Sequence, residues 1–444
     1  MNKRFLSFLF AALFVTSAFA QGNCDNPRVP DDRLWVDEPW GGSYVPDDFV
    51  YVKPHASLAG DGKLEIVWLT RKPATGWVEW SQDGGKTWTR TRTAKHGLYD
   101  VYERIHKTLL KGVDFSRPVL YRAFSLPVLE GATGHVRYVG EEDAPWVAYK
   151  QWAAKTINAF TNTIENAGAE KYVEEGMVNA LAPEGGVTTI LSFNDVHHAV
   201  PYYEGNLRHL GEGNVALSVF NGDIIDHSRS EEDIVKFLTS AMTYVGKQTG
   251  CAVRYVRGNH ELTHLMARHL PDYVGLQDDR LYGAVTVGGA RIAFLDSAVY
   301  SPKSWWGNAE FEEYVAEQAE WLKREVASDA WRNADWRLVF SHVPADPGVV
   351  RNCLKRGTQD INTLLYGILK DAKVDAFFGA HYHDARVIEP SDIFPFPTFI
   401  GGGSMPSGGQ IQTLTRIDIR GKEEIAVRCT NYAGSNVYER VIRR

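Results

Sequence analysis

Five short clusters of metal-ligand residues stand in one order along this chain: Asp195-Val196-His197, Gly222-Asp223-Ile224-Ile225-Asp226, Gly258-Asn259-His260-Glu261, His342, and His381-Tyr382-His383. Carboxylates, an amide oxygen and imidazoles suit hard or borderline divalent cations, and no thiolate lies among them. Gathered together, they would support hydrolysis at a two-metal centre, where water acidified by the cations becomes the nucleophile. Two cations a few Å apart repel strongly unless an anion lies between them, and Asp223 is the best bridge. Gly222 lets the backbone turn sharply so that this carboxylate can face the site. Asp195 and His197 can converge on one ion from a single turn, Asn259 offers an amide oxygen to the second, and His342, His381 and His383 complete the set. His260 follows the ligand Asn259 and is better placed as proton donor to the leaving oxygen than as another ligand.

The neighbours of these residues have two readings each. Asp226 either bonds a ligand histidine from behind or caps the helix that follows. His198, His227 and His264 could contact phosphate, or serve as surface or supporting groups. Arg257 either pairs with a substrate anion or is solvated. Glu261 orients His260 or caps a helix, and Asp296 reads as structural support. Trp305 and Trp306 form an aromatic step that either roofs a substrate or packs at an interface.

Each cluster follows an apolar run that reads as a strand: 187–193, 215–220, 251–256, 337–340 and 374–378. The side chains therefore leave the carboxyl ends of successive strands, where open α/β sheets place their ligands. Helical stretches at 231–249 and 310–327 alternate with these strands. Upstream, 45–145 reads as short alternating strands between glycine-rich turns, an all-β sandwich. Its Trp68, Trp77, Trp80 and Trp88 fit core packing better than a carbohydrate platform. Trp152, Ile157, Phe160, Ile164 and Val173 have helical spacing, which predicts a helical connector over 146–183 before the metal-ligand region at 185–444.

The 444 residues, 44% hydrophobic and 23% charged, can build two domains with substantial cores. A net charge of −7 argues against binding bulk nucleic acid, which needs excess Lys and Arg. Asn2-Lys3-Arg4, an apolar core over 5–15 and Ala18-Phe19-Ala20 have the pattern of a cleaved leader over 1–20. The expectation is an exported protein, periplasmic or secreted, with no membrane anchor after cleavage. Export would permit disulfides, and Cys24, Cys251, Cys353 and Cys429 allow three pairings, although Cys251 also reads as a free core thiol.

In this order and on these strand ends, the five motifs resemble the calcineurin-like metallophosphoesterase superfamily over about 185–410. The resemblance implies an α/β (α+β) fold: a four-layer sandwich of two mixed sheets flanked by helices. It implies one ion held by Asp195, His197, Asp223 and His383, another held by Asp223, Asn259, His342 and His381, and His260 as the catalytic histidine. The preceding β region, with Trp68-Leu69-Thr70 and Leu120-Tyr121-Arg122, is similar to the fibronectin type III-like domain of purple acid phosphatases. Those enzymes have Gly at the position of His197 and a tyrosine ligand at that of Asp226, so no purple ferric centre is expected. Ala380 also departs from the family, which has Gly there. The expected activity is hydrolysis of a small phosphomonoester with two divalent ions, Mn, Fe or Zn. The alternatives are a phosphodiesterase or nucleotide pyrophosphatase and, from another class, a carbohydrate- or surface-binding protein with an inactive metal domain.

Overall fold

The computed structural model describes residues 49–129, 137–138, 172–297, 309–356, 362–403 and 412–444. One sheet runs, in spatial order, Asn436–Arg443, Glu424–Asn431, Thr413–Arg420, Thr188–Phe193, Val215–Asn221, Ala252–Val256, Val50–Gly60, Lys63–Ser81 and Val119–Leu129. The other runs Gly283–Val287, Ala290–Leu295, Trp336–Ser341, Ala376–Gly379, Thr398–Ile400 and Arg386–Ile388. Thr188–Phe193, Val215–Asn221 and Ala252–Val256 pair in parallel and are buried throughout, as central strands covered on both faces must be. Parallel neighbours need crossovers, which the helices Pro201–Arg208 and Ser240–Thr249 supply.

Strand alternation sorts the side chains into three cores. Ile190, Val219 and Val256 face Phe294, Phe340 and Phe378 between the sheets. The three phenylalanines stack at 5.7 and 4.8 Å, and burying each such side chain is worth ~1.5–3 kcal/mol. Leu191, Phe220 and Val253 point outward beneath Tyr203, Leu238 and Met242. On the far side Ala293, Val339 and Phe377 lie under Val315, Leu322 and Leu365. The layers are helix, sheet, sheet, helix, the fold expected from the sequence.

The N-terminal part is all-β, with two differences from expectation. Lys63–Ser81 is one 19-residue strand where the alternation in the sequence reads as two, over 63–70 and 75–81. Its first half pairs with Val50–Gly60 and Glu103–Lys111, its second with Val119–Leu129 and Thr89–Thr91, and the register shifts between Leu69 and Ala74. Pro73 lies in that shift; lacking an N–H, it mimics a turn in the sequence while sitting where pairing changes hands. Val50–Gly60 also joins the phosphoesterase-like half directly, pairing in parallel with Ala252–Val256 at Ser57 and Val253.

The second difference falls in the predicted helical connector. Tyr172–Val178 is a strand, antiparallel to Val119–Leu129, with exposure alternating residue by residue. Val173 belongs to that period of two, and the open edge of Val119–Leu129 outweighs helical spacing inherited from residues far upstream. The expected leader, the rest of the connector, and Trp305 and Trp306 lie outside the described residues. Trp68 is buried, donates to Ser125 Oγ at 2.9 Å and stacks on His106, while Trp77 stacks on Phe124. Cys251 and Cys429 are buried free thiols. Among the described residues no helix is long and apolar enough to cross a membrane.

Candidate metal centre

The motifs leave the carboxyl ends of Thr188–Phe193, Val215–Asn221, Ala252–Val256, Trp336–Ser341 and Ala376–Gly379 and meet where the two sheets approach. Asn221 spans that seam, its Nδ2 donating to Ser341 O at 3.4 Å and Phe378 O at 3.3 Å. The loops after the first two strands continue the ladder: Asp195 N donates to Gly222 O at 3.0 Å and His197 N to Asp223 O at 3.1 Å. Asp195, His197, Asp223, His381 and His383 all have left-handed backbone, with φ of 47°, 47°, 51°, 71° and 56°. Non-glycine residues avoid that region at a cost of ~1–2 kcal/mol each, and its concentration here is the strain that functional sites retain. Gly222 has φ of 81°, and a Cβ there would stand 2.4 Å from His342 Nδ1.

Asp195, His197, Asp223 and His383 bring ligand atoms within 4.8 Å of one another, as do Asp223, His342 and His381. Asp223 belongs to both groups. His342 Nε2 lies 3.1 Å from Asp223 Oδ2 and 3.1 Å from Asn259 Oδ1, which puts Asn259 with the second group. His197 Nε2 and His383 Nε2 face each other at 3.3 Å, and His383 Nε2 is 3.4 Å from Asp195 Oδ1. Ala380 is fully buried and its N–H donates to His342 O at 2.8 Å, so the extra methyl is accommodated and His381 still reaches Asp223.

The surrounding residues fix these side chains. Asp226 hydrogen-bonds His197 Nδ1, which turns Nε2 toward the cluster, and its N–H donates to His198 Nε2 at 3.1 Å. His198 also stacks on Phe237 at 4.0 Å, and burial pushes its pKa down to about 4. Asp195 Oδ2 accepts from Asn194 Nδ2 at 2.7 Å and from His381 N at 3.0 Å. Glu261 neither caps a helix nor touches the His260 ring. It is fully buried and accepts four backbone N–H groups, from Asp223 (3.0 Å), Ile224 (2.7 Å), Ile225 (3.4 Å) and Gly258 (2.9 Å). One carboxylate thus clamps the Asp223 loop to the Asn259 loop; burial and nearby Asp223 push its pKa up to about 7.

Arg257 is no substrate group: its Nη2 lies 2.6 Å from Asp296 Oδ2, in a network that Tyr314 Oη joins at 2.8 Å. Gly403 borders the site, since a Cβ there would stand 2.4 Å from His383 Nδ1. The sequence signal for the Asp226 and Glu261 contacts was only their place beside ligand motifs.

Electrostatics supply the test of fit for metal ions. Burial alone would push Asp223 up, yet His342, His260 and His197 hold its carboxyl well below the usual range. In turn, against burial, Asp226, Asp223 and Asp195 raise His197 to about 9, and Asp223 raises His342 to about 10. The cluster therefore favours positive charge, which divalent ions would supply. Asp195 Oδ1, buried and without a hydrogen bond, is a free acceptor inside the same group. A set of oxygen and imidazole nitrogen donors fits Mn, Fe or Zn.

A four-layer α/β sandwich with paired Asp/His clusters at its strand ends defines a metal-dependent hydrolase of the phosphoesterase type. Residues 188–385 match the family model for Calcineurin-like phosphoesterase, so the chain carries a calcineurin-like phosphoesterase domain and is a metal-dependent phosphoester hydrolase. Two solved structures resemble the fold. Purple acid phosphatase PPD1 from yellow lupin (Lupinus luteus) seeds is 11% identical with a TM-score of 0.59, the match covering 88% of this chain and 74% of that one. PhoD is 10% identical with a TM-score of 0.50, over 90% of each chain. No curated protein matches the sequence.

Proposed function

We propose that this chain is an exported phosphomonoesterase, periplasmic or secreted, that works on a small substrate with two divalent ions. The observation carrying the catalytic part is that Asp223 belongs to two ligand clusters while His260 stands beside them. Asp195, His197, Asp223 and His383 would hold one ion, and Asp223, Asn259, His342 and His381 the other. When bound, the ions supply Lewis acidity and acidify water.

The chain's own residues do the rest. His260 is anchored through its N–H to Asp223 Oδ1 at 2.8 Å, and its ring meets His197 edge-on at 4.6 Å. Among the described residues His260 Nδ1 has no hydrogen-bond partner, and it lies 3.4 Å from Asp226 Oδ1, so the ring is held in place yet able to pass a proton to a leaving oxygen. Asp226 fixes the tautomer of His197, and Glu261 holds the two loops that carry Asp223 and Asn259. The His260 imidazole, beside the two clusters, would offset charge that develops on the phosphoryl oxygens.

The test is phosphate release by metal-loaded protein from a panel of monoesters and a panel of diesters at equal metal. Higher kcat/KM on the monoesters is expected; a preference for diesters would replace this reading with a phosphodiesterase. The export reading rests on the charged start, apolar core and small-residue site over 1–20. It requires that the protein recovered from expressing cells begin near Gln21.

A further inference from the structure

Beside His260, away from the two ligand clusters, lies a group of donors that the mechanism above leaves unused. His227 and His264 meet edge-on with ring centroids 4.7 Å apart. Met266 N donates to Ser228 O at 2.9 Å, fastening the loop that carries His264 to the turn that carries His227 and Arg229. His264 is exposed and has left-handed backbone with φ of 69°, its carbonyl accepting Ala267 N at 3.3 Å. His227 Nδ1 is enclosed yet has no hydrogen-bond partner among the described residues. Arg229 is exposed two residues beyond His227, and Thr263 Oγ1 donates to Asp226 O at 3.2 Å and His260 O at 2.7 Å, which ties both segments to the His260 backbone.

Three nearby carboxylates are already engaged. Asp226 pairs with His197, Glu231 with Arg104 at 3.0 Å, and Asp233 accepts Arg229 N at 3.2 Å. The rim beyond His260 therefore offers two imidazoles and one guanidinium. Neutral imidazole still donates one N–H, and guanidinium is always charged.

We propose that His227, His264 and Arg229 form a second anion subsite on the leaving-group side, so that the preferred substrate is the terminal phosphoryl of a diphosphate rather than an ester of an uncharged alcohol. The subsite takes its direction from the phosphomonoesterase reading: with His260 as donor to the leaving oxygen, groups just past it would meet whatever that oxygen belongs to. An uncharged alcohol would leave these donors unused, whereas a second phosphoryl group would accept from them.

The test uses full-length, metal-loaded protein and two ligands that are not hydrolysed, methylenediphosphonate and methylphosphonate, with binding read by calorimetry. Hydrogen bonds to a charged group are worth about ten-fold or more in affinity, so His264→Ala and Arg229→Ala should each weaken methylenediphosphonate about ten-fold more than methylphosphonate. In parallel, kcat/KM for inorganic pyrophosphate should fall about ten-fold more than that for 4-nitrophenyl phosphate, chiefly through KM. Equal losses on both ligands, or no loss, would overturn the subsite. If no monoester is turned over but the binding difference persists, the subsite stands and the phosphomonoesterase reading falls.

Discussion

Replacing Glu261 by Gln tests whether one buried carboxylate organises this centre. In the native protein Oε2 accepts Asp223 N at 3.0 Å and Gly258 N at 2.9 Å, while Oε1 accepts Ile224 N at 2.7 Å and Ile225 N at 3.4 Å. Glutamine is the same size but has only one acceptor oxygen. Whichever way it turns, two buried N–H groups face an NH2 that cannot accept. Each orphaned donor costs ~1–3 kcal/mol, giving roughly 2–6 kcal/mol in all. Because the 3.4 Å bond is weak, the side chain should keep its oxygen on Asp223 and Gly258, and the loss should sit near the lower end, about 3 kcal/mol. That is a large share of the ~5–15 kcal/mol that stabilises an ordinary domain. Urea unfolding of the metal-free protein at pH 8 measures it, and calorimetric titration with Mn or Zn should show weaker binding as the Asp223 and Asn259 loops lose their common anchor. A variant within ~0.5 kcal/mol of the parent, with unchanged metal affinity, would refute the clamp.

Asp223→Asn should abolish turnover by weakening both ions, seen as loss of bound metal by elemental analysis. His260→Ala should keep its metal but lose ~10²–10⁴ in kcat, most of all on substrates with poor leaving groups; equal loss of metal in both variants would refute these roles. Gly222→Ala forces a Cβ to 2.4 Å from the His342 ring at a φ of 81°, and should lower metal occupancy as well as stability. Burial holds His106 down to about 4 from an ordinary 6.5. On acidification the unfolded chain therefore takes up the proton first. The stability His106 contributes is present above pH about 6.5 and lost toward pH about 4 at up to ~1.4 kcal/mol per pH unit. His106→Gln should flatten the urea midpoint across that window.

The sequence carried the centre because its parts are local and chemically unusual. Asp195, His197, Asp223, Asn259, His342, His381 and His383 each follow an apolar run, and those runs lie within a residue or two of the observed strands. What escaped is what depends on partners distant in sequence. Glu261 bonds backbone groups 36 to 38 residues away, and backbone amides have no signature in side-chain pattern. Val173 fitted a helical period until the edge of Val119–Leu129 claimed it. The single strand Lys63–Ser81 reads as two in the sequence because its alternation breaks around Pro73, where the pairing partner changes.

The junction between Val50–Gly60 and Ala252–Val256 governs how the molecule can be cut and how it is made. A shortened chain starting at residue 185 would bare the flank of Ala252–Val256, a row of unsatisfied N–H and C=O groups that can recruit a strand from another chain. During synthesis the early strand is finished nearly two hundred residues before its mate. Until then it waits in a hairpin with Lys63–Ser81, and the hydrolytic half completes its sheet only by docking onto a flank already formed.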